Sequence, residues 1–255
     1  MTIFHPSTRT DLASELVKSK LITLNEHVSR TDVTLDDEGA KKIGKNAGRY
    51  ITLVSSVVAR GEHEYYRRLE KALQDAIKEF INSSHQTCLV IGLGNPSMTA
   101  DALGKSVVDR IKVTRGFSLG KREVCTLCPN VLGVTGVESF DVVSGVVYRV
   151  KPDLIIAVDS LCAATAKRLC TAFQLTDTGI APGSGVSNFR FRIDQNTMSV
   201  PVLSLGVPLV VYSSTLTGEK SENPADDLIV TPKDIDILVE ECAEIIASAI
   251  NGALN

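Results

Sequence analysis

The run Cys88-Leu89-Val90-Ile91-Gly92-Leu93 (CLVIGL), followed by GNPSMTADALG (94–104), decides how this chain folds. A short unbroken apolar run reads as a strand covered on both faces, as in a parallel sheet. Gly92, Gly94 and Asn95-Pro96 break the run, and a helix is expected from about Ala100 to Lys112. Working outward, Leu154–Val158 (LIIAV) repeats the pattern and ends on Asp159, with a second helix expected from about Cys162 to Thr171. Val202–Gly206 and Leu209–Tyr212 read as further strands, and residues 141–150 complete an αβ unit. Apolar residues at 65, 66, 69, 73, 76, 77, 80 and 81 mark an amphipathic helix over 64–82. The pattern returns over 231–253, with Pro232 at the helix start. Before them, 36–48 reads as a short helix and turn leading into a strand over Arg49–Ala59, and 217–227 as a long exposed loop. Strands alternating with helices predict an α/β fold: three αβα layers with a mostly parallel central sheet, one domain over 1–255.

Composition bounds the function. The chain has 255 residues, 44% hydrophobic and 22% charged, which suits a globular protein and excludes a disordered or rod-like one. Aromatics are 5% with no Trp, so the core is aliphatic. A net charge of −3 leaves no basic footprint, and no direct nucleic-acid contact is expected. No apolar run reaches about 18 residues, so no membrane span is expected. Met1–Thr10 holds no apolar stretch of signal-peptide length, and a cytoplasmic location is expected. Six Cys (88, 125, 128, 162, 170, 242) then read as reduced thiols. Cys125 and Cys128 form a C-x-x-C without a second pair, and the four His (5, 27, 63, 85) all precede Cys88. No metal or other cofactor is expected.

Chemistry in parallel sheets gathers beyond the carboxyl ends of strands. Asp101 and Asp159 both belong there. Each also suits a plain helix N-cap. Two carboxylates brought close cannot both ionise cheaply, so one keeps a proton. Such a pair can deprotonate water and protonate a leaving amide nitrogen. Asp177-Thr178-Gly179 matches the tripeptide of pepsin-type proteases, but a single copy in an α/β pattern excludes that fold. Within DTGIAPGSGV (177–186) the backbone around Asp177, Thr178, Gly179, Gly183, Ser184 and Gly185 reads either as a loop offering N–H groups to a peptide carbonyl or as an ordinary turn. GLGNP (92–96) echoes peptidyl-tRNA hydrolases, yet no His follows residue 85, and Ser97 replaces the third Gly of a dinucleotide fingerprint.

The chain as a whole resembles the germination proteases of spore-forming bacteria, a family of atypical aspartic endopeptidases. The likeness rests on RTDLASE (9–15), EGAKKIGKNAGRYITL (38–53), GLGNPSMTADALG (92–104), GVTGVES (133–139), VKPDLIIAVDSL (150–161), LTDTGIAPGSGVSN (175–188), VPVLSLGVPLVV (200–211) and LIVTPKDID (228–236). The resemblance implies degradation of small acid-soluble spore proteins during germination, in the spore core, by a homotetramer. It assigns the two essential aspartates to Asp101 and Asp159, with Gly94, Asn95 and the 177–185 loop beside the substrate. It also implies a self-cleaving zymogen whose substrates read like T-E-F-A-S-E-F. Thr10-Asp11-Leu12-Ala13-Ser14-Glu15-Leu16 is similar, so cleavage is expected between Asp11 and Leu12, making 1–11 a propeptide. Against the family pattern stand Pro96, Lys105 and the Ala- and Cys-rich segment around Thr165. They motivate an alternative, an inactive relative that binds spore proteins without cutting. A second alternative follows from the layout shared with hydrogenase-maturation endopeptidases, a metal-dependent enzyme with both acids as ligands.

Overall fold

The computed structural model of the chain describes residues 9–117, 121–182, 191–218 and 227–255. In chain order its elements are β1 (Leu21–Thr23), β2 (Ser29–Leu35), α1 (Asp37–Ile43), β3 (Gly48–Val54), α2 (Tyr66–Lys78), β4 (Thr87–Gly92), α3 (Leu103–Val108), β5 (Glu123–Leu127), α4 (Leu132–Thr135), α5 (Ser139–Val150), β6 (Leu154–Ala163), β7 (Ala172–Thr176), α6 (Gln195–Met198), β8 (Val202–Tyr212), α7 (Ser213–Thr217), β9 (Ile229–Val230) and α8 (Ile235–Leu254). The strands form one sheet in the order β1-β2-β3-β7-β8-β6-β4-β5, with β9 on the far end of β8.

The expected α/β sheet is there, and it is mixed. Strands β5, β4, β6 and β8 pair in parallel, joined by crossover helices. On the other side, β7, β3, β2 and β1 add on antiparallel.

Side chains alternate along the central strands as a two-residue period requires. Cys88, Val90, Leu154, Ile156 and Val158 join the core under α2, α3 and α8. Leu89, Ile91, Ile155 and Ala157 join the core under α5 and α6. The amphipathic helix read over 64–82 is α2, which buries Leu69, Leu73, Ala76 and Ile77. A smaller core of Ala13, Leu16, Val17, Val33, Leu35, Ala40 and Tyr50 lies under the antiparallel half. All six cysteines are free thiols, with Cys88, Cys162, Cys170 and Cys242 buried.

Three expectations differ from the structure. The two strands expected over 202–212 are one, β8. The helix expected over 100–112 is a 3-10 turn (Thr99–Asp101) and then α3. No α-helix follows Asp159: β6 runs on to Ala163, and one 3-10 turn (Ala166–Arg168) precedes β7. The segment CAATAKRLC (162–170) has helix-favouring composition, but its first backbone groups are taken by pairing with residues 11 and 15. Tertiary pairing overrides local propensity here. The loop expected over 217–227 lies largely outside the described residues, as does much of the 1–11 segment.

Candidate active site

The loop after β4 crosses the carboxyl ends of the parallel strands. It begins with Leu93, whose N–H donates to the Val158 carbonyl at 2.8 Å. Gly92 and Gly104 pack so closely that a Cβ on Gly92 would lie 2.1 Å from the Gly104 carbonyl oxygen. Gly94 has φ +97°, and a Cβ there would lie 2.2 Å from the Asp101 carbonyl oxygen. Only glycine accepts both the backbone angle and that approach. The loop folds back so that the Asn95 N–H donates to Asp101 Oδ2 at 2.7 Å. Asp101 does not cap α3, whose N-cap is Ala102 without a side-chain bond.

Asp159 follows Ile155 and Ala157 on the α5/α6 side of β6, one residue past the last pairing with β4. Its side chain is buried, and no α-helix begins after it to be capped. Its carboxyl accepts the Ser160 N–H at 2.9 Å. Burial pushes its pKa well above the usual carboxylate range, and the charges of Asp101 and then Asp11 push it further. Three carboxyl groups, distant in sequence, therefore act on one another at this rim.

The third acid arrives on the N-terminal segment, which lies along the end of β6. The register between β6 and β8 slips at Leu161/Cys162, an irregularity of the bulge kind. Asp11 pairs with the Cys162 backbone: its N–H donates to the Cys162 carbonyl at 2.8 Å, and Asp11 Oδ2 accepts the Cys162 N–H at 2.9 Å. Leu12 is fully buried against Leu161 and Ala172. The chain bends there, with the Leu12 N–H donating to Thr10 Oγ1 at 3.0 Å. Thr10 donates in turn to Glu15, which accepts from the Ala164 N–H at 2.7 Å and the Thr165 hydroxyl at 3.1 Å. A 3-10 turn (Ala13–Glu15) follows the bend.

Two side chains that the sequence reading missed grip this segment. Lys45, after the left-handed turn at Gly44 that ends α1, donates to the Thr10 carbonyl at 2.9 Å and lies 3.9 Å from Asp11 Oδ1. Burial lowers its pKa, and Asp11 raises it. Gln174 on β7 donates through Nε2 to the Asp11 carbonyl at 2.9 Å and accepts the Ala13 N–H on Oε1 at 2.8 Å. A signal existed for Gln174, a long polar residue inside the otherwise buried strand AFQLT.

The 177–185 loop does different work over the part described. Asp177 Oδ1 accepts the Arg49 N–H at 2.8 Å, and the Thr178 hydroxyl donates to the Tyr50 hydroxyl at 3.2 Å. The Asp177 and Thr178 N–H groups go to the Arg49 carbonyl and Thr176 Oγ1. Gly179 accepts from the Ser204 hydroxyl at 2.9 Å. These contacts clip β7 to β3 and β8. Gly183, Ser184 and Gly185 lie outside the described residues. Among the described residues no group of three or more His, Cys, Asp or Glu is arranged to hold a metal ion, and no helix is long and apolar enough to cross a membrane.

Acidic groups converge at the carboxyl ends of the parallel strands of an α/β protein, the rim where such folds place their chemistry. A family model described as germination protease matches residues 8–223, and the chain belongs to the germination protease family. It is thus a peptidase by family. The germination protease of Clostridium acetobutylicum is 36% identical over 276 residues, covering 89% of this chain and 84% of that protein. That of Priestia megaterium is 31% identical over 330 residues, covering 98% and 88%. Among solved structures, the [NiFe] hydrogenase maturation protease HycI from Thermococcus kodakarensis aligns with TM-score 0.40 and 19% identity, covering 65% of this chain and 92% of its own.

Proposed function

We propose that this chain is a zymogen endopeptidase of the spore core that opens small acid-soluble spore proteins during germination. Asp101 and Asp159 share one proton and activate water, and the first bond cut is the chain's own Asp11–Leu12. The observation that carries this reading is the buried carboxyl of Asp159, raised by its burial and by the neighbouring charges of Asp101 and Asp11.

The chemistry balances with water as the only co-reactant. Asp101, oriented by the Asn95 N–H, takes a proton as the water oxygen bonds to the Asp11 carbonyl carbon. Asp159 passes its proton to the carbonyl oxygen. When the tetrahedral adduct collapses, the C–N bond breaks. The Leu12 nitrogen takes the proton from Asp101, and the hydroxyl returns one to Asp159. Both acids end as they began.

The test is to incubate the purified chain at mildly acidic pH and read its N-terminus by mass spectrometry. A new terminus at Leu12 is expected, and Met1 as the sole terminus counts against it. Processing should slow as pH rises through the raised pKa of Asp159, because the pair then holds no proton. A spore-protein substrate offered to the processed chain separates an active protease from a silent binder. Cleavage that survives a chelator separates the proton-sharing pair from a metal site.

A further inference from the structure

We propose that Lys45 and Gln174 read the substrate on the two sides of the bond that is cut, Lys45 selecting an acidic side chain and Gln174 gripping the backbone across the bond. This rests on the reading of Asp11–Leu12 as that bond, and it names the side chains that recognise each side of it.

Among the described residues the acidic side chain meets two unlike groups, a backbone N–H and an ammonium. The Cys162 N–H binds Asp11 Oδ2 at 2.9 Å, and the Lys45 ammonium faces Oδ1 at 3.9 Å while donating to the Thr10 carbonyl at 2.9 Å. The N–H alone does not distinguish a carboxylate from an amide, because both offer an oxygen. Lys45 does. Its side chain is largely enclosed, and Arg192 adds like-charge repulsion, so an amide in place of Asp11 leaves the ammonium with poorer compensation. The apolar residue is chosen by packing, since Leu12 fills a closed pocket between Leu161 and Ala172.

Gln174 supplies the backbone grip. Its donor meets the Asp11 carbonyl at 2.9 Å and its acceptor meets the Ala13 N–H at 2.8 Å, so one side chain spans the bond between them. Both bonds of this buried amide go to the segment. The donor sits where negative charge gathers as water adds to the carbonyl, the placement of an oxyanion stabiliser.

The experiment has two arms. In the first, the full chain carries Asp159→Asn so that the segment stays attached, and amide hydrogen exchange is followed at residues 10–16. Lys45→Met should speed exchange there by about 10-fold or more, with β4 and β6 unchanged. Asp11→Asn should also speed exchange there, and Lys45→Met should add little to it, which a merely structural lysine would not do. Gln174→Glu keeps the size and removes the donor, and should speed exchange at residues 11–13. Unchanged exchange in Lys45→Met or Gln174→Glu, or fully additive effects of Lys45→Met and Asp11→Asn, overturns the proposal. If Lys45→Met loosens the whole molecule, Lys45→Arg decides: it keeps the charge and should keep protection, and lost protection with an intact core overturns the proposal.

In the second arm, Asp159 is intact and self-cleavage is timed. Lys45→Met should slow it about 30-fold, with Asp11→Asn adding less than about 3-fold on top, since both remove one charge contact. Equal and independent losses overturn the charge-reading role. A native chain that never cuts overturns the cleavage reading, and the exchange arm still decides whether Lys45 and Gln174 hold an acidic–apolar segment.

Discussion

The two halves of the sheet carry ionised groups of opposite character. In the parallel half, Asp159 is raised by its burial and then by the charges of Asp101 and Asp11, with no cation among the causes of its shift at the described residues. In the antiparallel half, Asp32 of β2 and Glu79 after α2 are lowered, chiefly by hydrogen bonds from Arg30 and then by Arg49. Arg30 reaches Asp32 at 2.7 Å and Glu79 at 2.5 Å, and Arg49 bridges the same two acids at 3.1 and 2.5 Å. One half leaves its acid unpaired, at the expense of stability, and the other neutralises its acids. The lesson is that acids paired with arginines brace the antiparallel half, whereas the acid held raised by burial is the one the proposed chemistry uses.

The comparison breaks most visibly at the acids. Asp101→Asn or Asp159→Asn should each lower self-cleavage by about 10³-fold or more, and the double variant should lose little beyond that, because the pair acts as a unit. Timed mass spectrometry of the N-terminus measures it, and near-native cleavage in either single variant sinks the assignment. Leu12→Ala comes next. It empties the pocket at Leu161 and Ala172 and should cost about 2–3 kcal/mol of local stability, seen as faster exchange at residues 10–16 with little change in the central strands.

Opposite pH signs sharpen the contrast. For Asp159 the folded-state pKa is raised, so its burial is tolerated at acidic pH and destabilises increasingly as pH rises toward that pKa. Asp159→Asn should therefore raise Tm at neutral pH, and the gain should vanish below about pH 4, where the carboxyl is neutral folded or unfolded. For Asp32 and Glu79 the folded pKa is lowered, so their contribution is present at neutral pH and is lost as pH falls through the folded value. Glu79→Gln should cost about 1 kcal/mol at neutral pH, the scale of a networked pair at the surface, and nothing in strong acid. Thermal unfolding across pH checks both, and slopes of the same sign would erase the distinction. The smallest effect belongs to the exposed pair Lys42 and Glu38 on α1, where Glu38→Gln should change stability by about 0.3–0.5 kcal/mol, read by denaturant titration.

How much was legible in the sequence follows the same division. Cys88–Leu93 and Leu154–Val158 announce themselves because a strand covered on both faces is apolar at every position. The acids at their ends fall out of that reading. Strands β1 and β2 do not announce themselves: SRTDVTL (29–35) alternates weakly and carries the ion cluster on its polar side. The over-extended helix reading after Asp159 fails because Cys162 and Ala164 find partners about 150 residues away, which no local pattern reports. Lys45 and Gln174 lie hidden for that reason too. Lys45 sits among polar loop residues, and Gln174 looks like a flaw in a strand until the N-terminal segment arrives to use both ends of its amide.

That segment is joined to the body it fills. A tethered ligand competes at an effective concentration of millimolar order whatever the dilution, so no washing or low protein level lifts the segment from Lys45 and Gln174. A free peptide arriving at micromolar abundance meets an occupied seat. Under the proposed self-cleavage, the first peptide processed is the chain's own, in an intramolecular event whose rate does not depend on how many copies are present.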